Sequence, residues 1–476
     1  RKVKEFLDEI AAMSDRISLE STHLKRQPSF GIAQKGQKSR VIFSGLPMGH
    51  EFTSFILALL QVSGRPPKVD EDTIERIKKI DKPINLETYV SLTCHNCPDV
   101  VQAFNIMAVL NPNITHTMIE GGMYQDEVKA KGIMSVPTVY KDQEEFTSGR
   151  ATIEQLVEKL DGPLDADAFA DKGVYDVLVI GGGPAGNSAA IYAARKGLKT
   201  GLLAETFGGQ VIETVGIENM IGTLYTEGPK LMAQVEEHTK SYDVDIIKSQ
   251  LATGIEKKEL IEVTLANGAV LKSKTAILAL GAKWRNINVP GEEEFRNKGV
   301  TYCPHCDGPL FEGKNVAVIG GGNSGLEAAL DLAGITKYVT VLEFLPELKA
   351  DQVLQERAAK TDNLTILKNV ATKEIVGQDH VTGLNYVERD TNAEKHLDLE
   401  GVFVQIGLVP STAWLKDSGI ELNERQEIIV DKFGSTNIPG IFAAGDCTDS
   451  AYKQIIISMG SGATAAIGAF DYLIRQ

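Results

Sequence analysis

VYDVLVIGGGPAG, residues 174–186, is an apolar run that ends in a glycine-rich turn and leads into the helical stretch SAAIYAARKG. Gly181, Gly183 and Gly186 stand in the order G-x-G-x-x-G, with Pro184 and Ala185 inside the turn. In a strand–turn–helix unit the first glycine permits the tight turn and the second lets the backbone approach a pyrophosphate. The third lets helix and strand pack closely. The phosphates then meet the helix N-terminus, where unpaired N–H groups and the helix dipole favour anions. The following strand, KTGLLAE, ends at Glu205, roughly twenty residues on, where a carboxylate is expected to accept from a ribose hydroxyl. The segment predicts a dinucleotide-binding α/β domain.

A second copy sharpens the reading. NVAVIGGGNSG, residues 315–325, repeats the strand and turn with Gly320, Gly322 and Gly325, and with Asn323 and Ser324 inside. Its next strand, YVTVLE, ends at Glu343. One such turn is weak evidence, but two with strand, helix and spaced acid predict two nucleotide sites. A carboxylate at Glu343 accepts from a ribose 2′-hydroxyl and repels a 2′-phosphate, and the neighbouring LEFLPELKAD holds no arginine, so NADH is favoured over NADPH. Near the C-terminus, NIPGIFAAGDCTD (437–449) places Gly445 and Asp446 after an apolar strand and before a small-residue helix. An aspartate there suits the ribityl hydroxyls of a flavin; an ordinary strand–turn–helix has the same pattern.

The chain holds five cysteines, four of them in two C-x-x-C pairs: Cys94 and Cys97 in SLTCHNCPDV, Cys303 and Cys306 in TYCPHCDGPL. This is too few for a secreted disulfide scaffold and favours redox chemistry. Zinc is disfavoured, because paired zinc motifs lie far closer together in sequence than these pairs do, and no metal site is expected. CHNC follows a strand and precedes a helix, the setting that lowers the first thiol's pKa. Pro137 leads the strand SVPTVY later in the same segment. Glu87, on the strand before CHNC, is expected to lie beneath the pair and hold a proton; a solvated strand carboxylate is the alternative. His95 and His305 stand between the cysteines, either tuning thiolate charge or as exposed loop residues. Cys447 reads as a small buried side chain.

With 43% hydrophobic and 24% charged residues, the chain can bury several cores. A net charge of −15 argues against nucleic-acid or anionic-membrane partners. The opening residues have no apolar signal-peptide core, and the most apolar runs, FTSFILALLQVSG and IIISMGSGATAAIGAF, read as too short to span a bilayer. A cytoplasmic protein is expected. Residues 84–160 alternate strand, C-x-x-C, helix, strand, helix and a Pro-led strand. DGPLDADAFADKG, residues 161–173, combines Gly, Pro and four Asp and reads as a charge-extended linker.

Four stretches, GGGPAGNSAAIYAARKGL, GGQVIETVGIEN, CPHCDGPLFEGKNVAVIGGGNSGLEAALDLA and GIFAAGDCTD, together resemble the thioredoxin reductase family of pyridine nucleotide-disulfide oxidoreductases. With CHNCPDVVQAF the chain is similar to the flavoprotein (F) subunits of alkyl hydroperoxide reductases, densely so over about 84–476. The resemblance implies that FAD is held by the first turn, by Gly209, Gln210 and Asn219, and by Asp446 and Gln454, and that NADH is held by the second turn. It implies that Cys303 and Cys306 form the disulfide beside the flavin, with Cys306 proximal, Cys303 exchanging and Asp307 as acid/base. Cys94 would attack the outside partner and Cys97 resolve. The family usually carries Thr where Leu280 precedes Gly281.

The expected architecture is α/β. Two thioredoxin-like halves (1–83 without cysteines, 84–160 with CHNC) are followed by the linker, and two Rossmann-like domains follow it. The FAD domain is split over 174–290 and 408–476 around an inserted NADH domain, 291–407, which carries CPHC and is expected to rotate. Electrons would run from NADH through FAD to Cys303/Cys306, to Cys94/Cys97 and to a peroxiredoxin, the C subunit of the resembled system, in a homodimer. The alternatives are reduction of thioredoxin-type disulfides, a hydrogen-peroxide-forming NADH oxidase, and a redox sensor with structural FAD.

Overall fold

The structure is a computed structural model. It describes all residues except Arg1, His95, Met134, Ser135 and Val215, with the side chains of Glu213, His305 and Cys306 also outside the description. The chain forms two compact units, Arg1–Leu164 and Asp165–Gln476.

In the first unit one six-stranded sheet runs, in spatial order, Ser29–Ile32, Val41–Ser44, Ile114–Glu120, Ile84–Val90, Thr138–Lys141, Glu144–Ser148. Strands from the cysteine-free stretch and from the CHNC stretch share this sheet. Val41–Ser44 pairs in parallel with Ile114–Glu120, Val41 opposite His116 and Ser44 opposite Ile119. Two strands alone make a marginal sheet, so the first half completes itself on the second. The helix Cys97–Leu110 lays Val100, Val101, Phe104 and Met107 on the face formed by Leu86, Val90 and Met118. The period-two alternation of Ile84–Val90 sends Glu87 and Tyr89 to the other face, where Tyr89 packs with Ile119 and Tyr140. Thr152 and Gln155 close a capping box on the helix Ile153–Asp161, satisfying its first N–H groups.

Within the stretch read as a linker, that helix runs on to Asp161, and Ala166–Lys172 forms a 3-10 helix with Phe169 buried. An apolar ring in the middle of the aspartates gives the segment an anchor that its charge pattern conceals.

The second unit is built on two sheets of parallel character. In the first, Val174–Ile180 lies between Thr200–Ala204 and Val270–Leu278, and Ile441–Ala443 returns to pair with Val270–Leu278. The second orders Val300–Thr301, Gly401–Val404, Asn315–Ile319, Tyr338–Glu343 and Leu364–Lys368, with a three-stranded antiparallel sheet, Val370–Gly377, Val381–Glu388 and Glu394–Asp398, following in the chain. A two-stranded antiparallel ribbon, Ala282–Trp284 against Leu408–Pro410, carries the chain into and out of this second region.

The last helix, Ile455–Leu473, corrects one sequence expectation. At 19 residues and a mean hydropathy of 1.2 it is long and apolar enough to cross a membrane by length and composition. Its Ala465, Ala466 and Ala469 stripe packs instead into the core formed with Ala189, Ala190 and Phe442.

Candidate active site

Cys94 and Cys97 form a disulfide, with Cα atoms 5.6 Å apart. Cys97 opens its helix and is fully buried, whereas Cys94 is partly exposed. The Cys97 backbone N–H donates to the Cys94 sulfur at 3.2 Å, a contact that stabilises a thiolate at Cys94 once the bond opens. The Cys94 sulfur lies 3.7 Å from the Val136 carbonyl oxygen, and the Val136–Pro137 bond is cis. His95, between the cysteines, lies outside the described residues.

Glu87 is not beneath this pair. It projects from the opposite face of the sheet, 2% exposed, and pairs with Arg26 at 2.9 Å and Lys25 at 3.0 Å. Burial alone would raise its pKa, but the hydrogen bonds and charges of Arg26 and Lys25 outweigh it and hold the carboxyl below the usual range. An ionised, paired carboxylate is a poor proton store.

Sequence reasoning missed Glu51. It ends a 3-10 turn, Gly49–Glu51, that packs against the CHNC helix, and the N–H of His50 donates to the Leu92 carbonyl just before the motif, at 3.1 Å. Glu51 is fully buried, and neither carboxyl oxygen has a hydrogen-bond partner among the described residues. Burial pushes its pKa to about 7, with Asp99, in the first turn of that helix, adding to the rise and Ser54 opposing it. Its signal in the sequence is an acid at the head of an otherwise apolar helix, MGHEFTSFILALL.

In the second unit the two glycine turns have the expected geometry. A Cβ on Gly186 would stand 1.7 Å from the Gly181 carbonyl oxygen, and one on Gly181 would stand 2.0 Å from that of Ala279. Gly181 and Gly320 sit at φ of 120° and 119°, open to glycine. The middle glycines face space: a Cβ on Gly322 would meet nothing within 4 Å, and one on Gly183 only Gly209 Cα at 3.8 Å. These are cradles that a phosphate could enter and a side chain would fill. Pro184 and Ala185 start one helix and Asn323 and Ser324 the other.

Three further segments converge on the first cradle. The Gly208 N–H donates to Gly182 O at 2.8 Å, bringing Gly209 and Gln210 alongside. Gln210, its amide oriented to satisfy both neighbours, donates to Ala282 O at 2.7 Å and accepts from the Trp284 indole N–H. Gly445 packs on Ala185, and Asp446 accepts from Ser458 at 3.0 Å. Burial raises the Asp446 pKa, with Ser458 and Lys453 opposing; a half-buried carboxylate with so few partners suits a hydroxyl-bearing ligand. Asn219 donates to Gln454 at 3.1 Å, so these two sequence-assigned residues meet. Glu205 is exposed one residue past its strand. Cys447 is buried, its thiol pushed up to about 11 by burial.

At the second cradle Glu343 accepts from Gly321 N–H at 2.5 Å and from Leu345 N–H at 2.8 Å. The window around Glu343 holds no arginine in sequence, yet the structure brings Arg389 to Phe344, with Nη1 donating to the Phe344 carbonyl at 2.9 Å.

Cys303 is disulfide-bonded and caps the short helix Pro304–Asp307; the side chains of Cys306 and His305 lie outside the described residues. Thr301 donates to the Asp307 carboxylate, and its oxygen accepts from Cys303 N–H at 3.4 Å. Burial raises the Asp307 pKa, Thr301 partly opposing. Tyr302, preceding the cysteine, stacks on Trp284 with ring centroids 6.4 Å apart.

Comparison with known proteins agrees with this geometry. The family described as pyridine nucleotide-disulphide oxidoreductase matches residues 175–462, and the thioredoxin domain family matches 84–161. The chain is 64% identical over 470 residues to the NADH dehydrogenase of Bacillus subtilis, covering 99% of this chain and 92% of that one. It is 56% identical over 477 residues to the F subunit of alkyl hydroperoxide reductase from Staphylococcus aureus, covering 100% and 94%. Among solved structures, thioredoxin reductase from Streptococcus pyogenes aligns with a TM-score of 0.60 at 36% identity, over 64% of this chain and 99% of that one.

Proposed function

Because the chain belongs to the pyridine nucleotide-disulphide oxidoreductase family, and is related along its length to the F subunits of alkyl hydroperoxide reductases, we propose that it draws electrons from NADH and delivers them, through Cys94 and Cys97, to a peroxiredoxin. It is an oxidoreductase that uses FAD and NAD(P)H to reduce disulfides. FAD, when bound, couples hydride donation by the nicotinamide to two-electron reduction of a disulfide. The chain's own residues do the rest. Gly181, Gly183, Gly186, Gly209, Gln210, Asn219, Gly445, Asp446 and Gln454, with Glu205 at the ribose, form the flavin cradle. Gly320, Gly322, Gly325 and Glu343 form the nicotinamide dinucleotide cradle, and the Glu343 carboxylate, held by two N–H groups, favours a free 2′-hydroxyl.

Asp307 supplies and takes the proton at the Cys303/Cys306 pair. Thiol–disulfide exchange passes two electrons on to Cys94/Cys97: a thiolate of the first pair attacks, a mixed disulfide forms, and the second thiol of that pair resolves it. Glu51, protonated near neutrality, gives a proton to the thiolate leaving from the second pair. Cys94 then attacks the partner's disulfide and Cys97 displaces it. A homodimer and a cytoplasmic setting belong to the same reading.

The observation that carries the reading is the Cys94–Cys97 disulfide, with Cys94 its partly exposed member, in one chain with two dinucleotide turns. Anaerobic NADH titration tests it. Three two-electron centres take up about three NADH and yield about four thiols per chain. Uptake of about two equivalents, with Cys94 and Cys97 still oxidised, would leave the first unit off the electron path. A second reading, an NADH oxidase, fits the name of the Bacillus subtilis relative. Cys94→Ser separates the two: oxygen-dependent NADH turnover survives it, and disulfide reduction in a partner does not.

A further inference from the structure

Phe344, one residue past the ribose carboxylate, is an aromatic ring left 54% exposed at the mouth of the second cradle. The Arg389 guanidinium lies over it, Cζ 3.8 Å from the ring centroid. This arginine arrives from the end of the strand Val381–Glu388 and is fixed from several directions. Nη1 donates to Phe344 O at 2.9 Å and to Asn369 Oδ1 at 3.1 Å. Its backbone N–H donates to Asn369 O at 3.0 Å, and Asn369, at φ 57°, donates to Leu345 O at 2.9 Å. Asn369 is held in turn by Asp390 at 2.7 Å.

Only Nη1 is engaged. Nε and Nη2 have no hydrogen-bond partner among the described residues, and Arg389 is exposed. A flat, exposed guanidinium backed by a ring is thus held on Phe344, the residue next to Glu343, whose carboxylate accepts from Gly321 N–H in the second glycine turn. A planar, weakly hydrated guanidinium can lie parallel against an aromatic face, whereas a tetrahedral ammonium meets it only as a point charge.

We infer that Arg389, backed by Phe344, is the platform on which the adenine ring of the nicotinamide dinucleotide stacks, and that it sets affinity for the adenosine half of that coenzyme. This rests on the second glycine turn being the nicotinamide dinucleotide site; it is independent of whether NADH or NADPH is preferred.

The test is calorimetric titration of the FAD-loaded protein with ADP-ribose, which carries the adenine and both phosphates, and with nicotinamide mononucleotide, which lacks the adenosine. Arg389→Ala and Arg389→Lys should each weaken ADP-ribose by about five- to tenfold, with mononucleotide binding unchanged. The lysine variant keeps the charge, so equal loss in both marks planar stacking. Phe344→Ala should show a smaller loss in the same arm. Bound-flavin absorbance reports that each variant is folded. Undiminished ADP-ribose affinity in Arg389→Ala, full affinity in Arg389→Lys, or an equal loss with the mononucleotide would each overturn the assignment. A wild-type preference for NADPH would overturn the NADH reading and leave the ADP-ribose comparison intact.

Discussion

A Cβ added to Gly325 would stand 1.9 Å from the carbonyl oxygen of Gly320, and the same relation holds between Gly186 and Gly181 at 1.7 Å. Contacts this short with backbone leave nothing flexible to move aside. Gly186→Ala should therefore cost the first cradle its flavin, leaving purified protein colourless. Gly325→Ala should keep the yellow flavin but lose its bleaching by NADH. Flavin absorbance before and after anaerobic NADH reads both, and a Gly325→Ala protein that bleaches normally would reassign the second turn.

Glu51 makes the first unit's stability depend on pH. Its pKa is raised from 4.5 to about 7 in the folded chain, so between those values the folded state holds a proton that the unfolded state has released. Stability falls as pH rises through that window, by up to about 3 kcal/mol at about 1.4 kcal/mol per pH unit. Glu51→Gln should flatten this slope in denaturant unfolding measured from pH 4.5 to 7.5. The same variant should slow reduction of Cys94–Cys97 on the order of a hundredfold and remove an apparent pKa near 7 from its rate.

Arg26→Ala should behave differently. It strands Glu87, 2% exposed, without its closest cation, and losing one partner of a buried pair costs about 3–5 kcal/mol. Chemical unfolding should show the loss, while the reduction rate of Cys94–Cys97 in the folded fraction stays unchanged. A selective loss of exchange rate at full stability would return Glu87 to the chemistry.

Asp307→Asn keeps the shape at Thr301 and removes the titrating proton. Rapid-mixing experiments should show flavin bleaching by NADH at the normal rate, with thiol formation in the two disulfides slowed about a hundredfold. Because burial raises the Asp307 pKa, the wild-type step should fall off as pH rises past that elevated value, and the asparagine variant should lose this dependence.

The glycine turns were legible in sequence because their chemistry is local: strand, turn and helix follow one another within a few residues, and each glycine answers to a backbone atom nearby. Asn219 and Gln454 were legible only through family resemblance, since 235 positions separate them. Glu87 was misplaced because distance along a strand says nothing about which face a side chain takes. The alternation of Leu86 and Val90 with Glu87 and Tyr89 carried that information. Glu51 and Arg389 went unseen for the converse reason. Each belongs to a segment without a motif, and tertiary packing alone brings it to a site that another segment announces.

The shared sheet of the first unit bears on how this chain can be taken apart. Residue 84 looks like a natural place to cut, since the cysteine-free stretch ends there and the thioredoxin match begins. Cutting there would strip Val41–Ser44 from Ile114–Glu120 and leave a seven-residue, mostly buried strand with open N–H and C=O groups along its side, a template for self-association. It would also discard Glu51. A fragment meant to carry electrons by itself must therefore keep the part with no cysteine in it, and a shorter one should precipitate before its redox chemistry can be assayed.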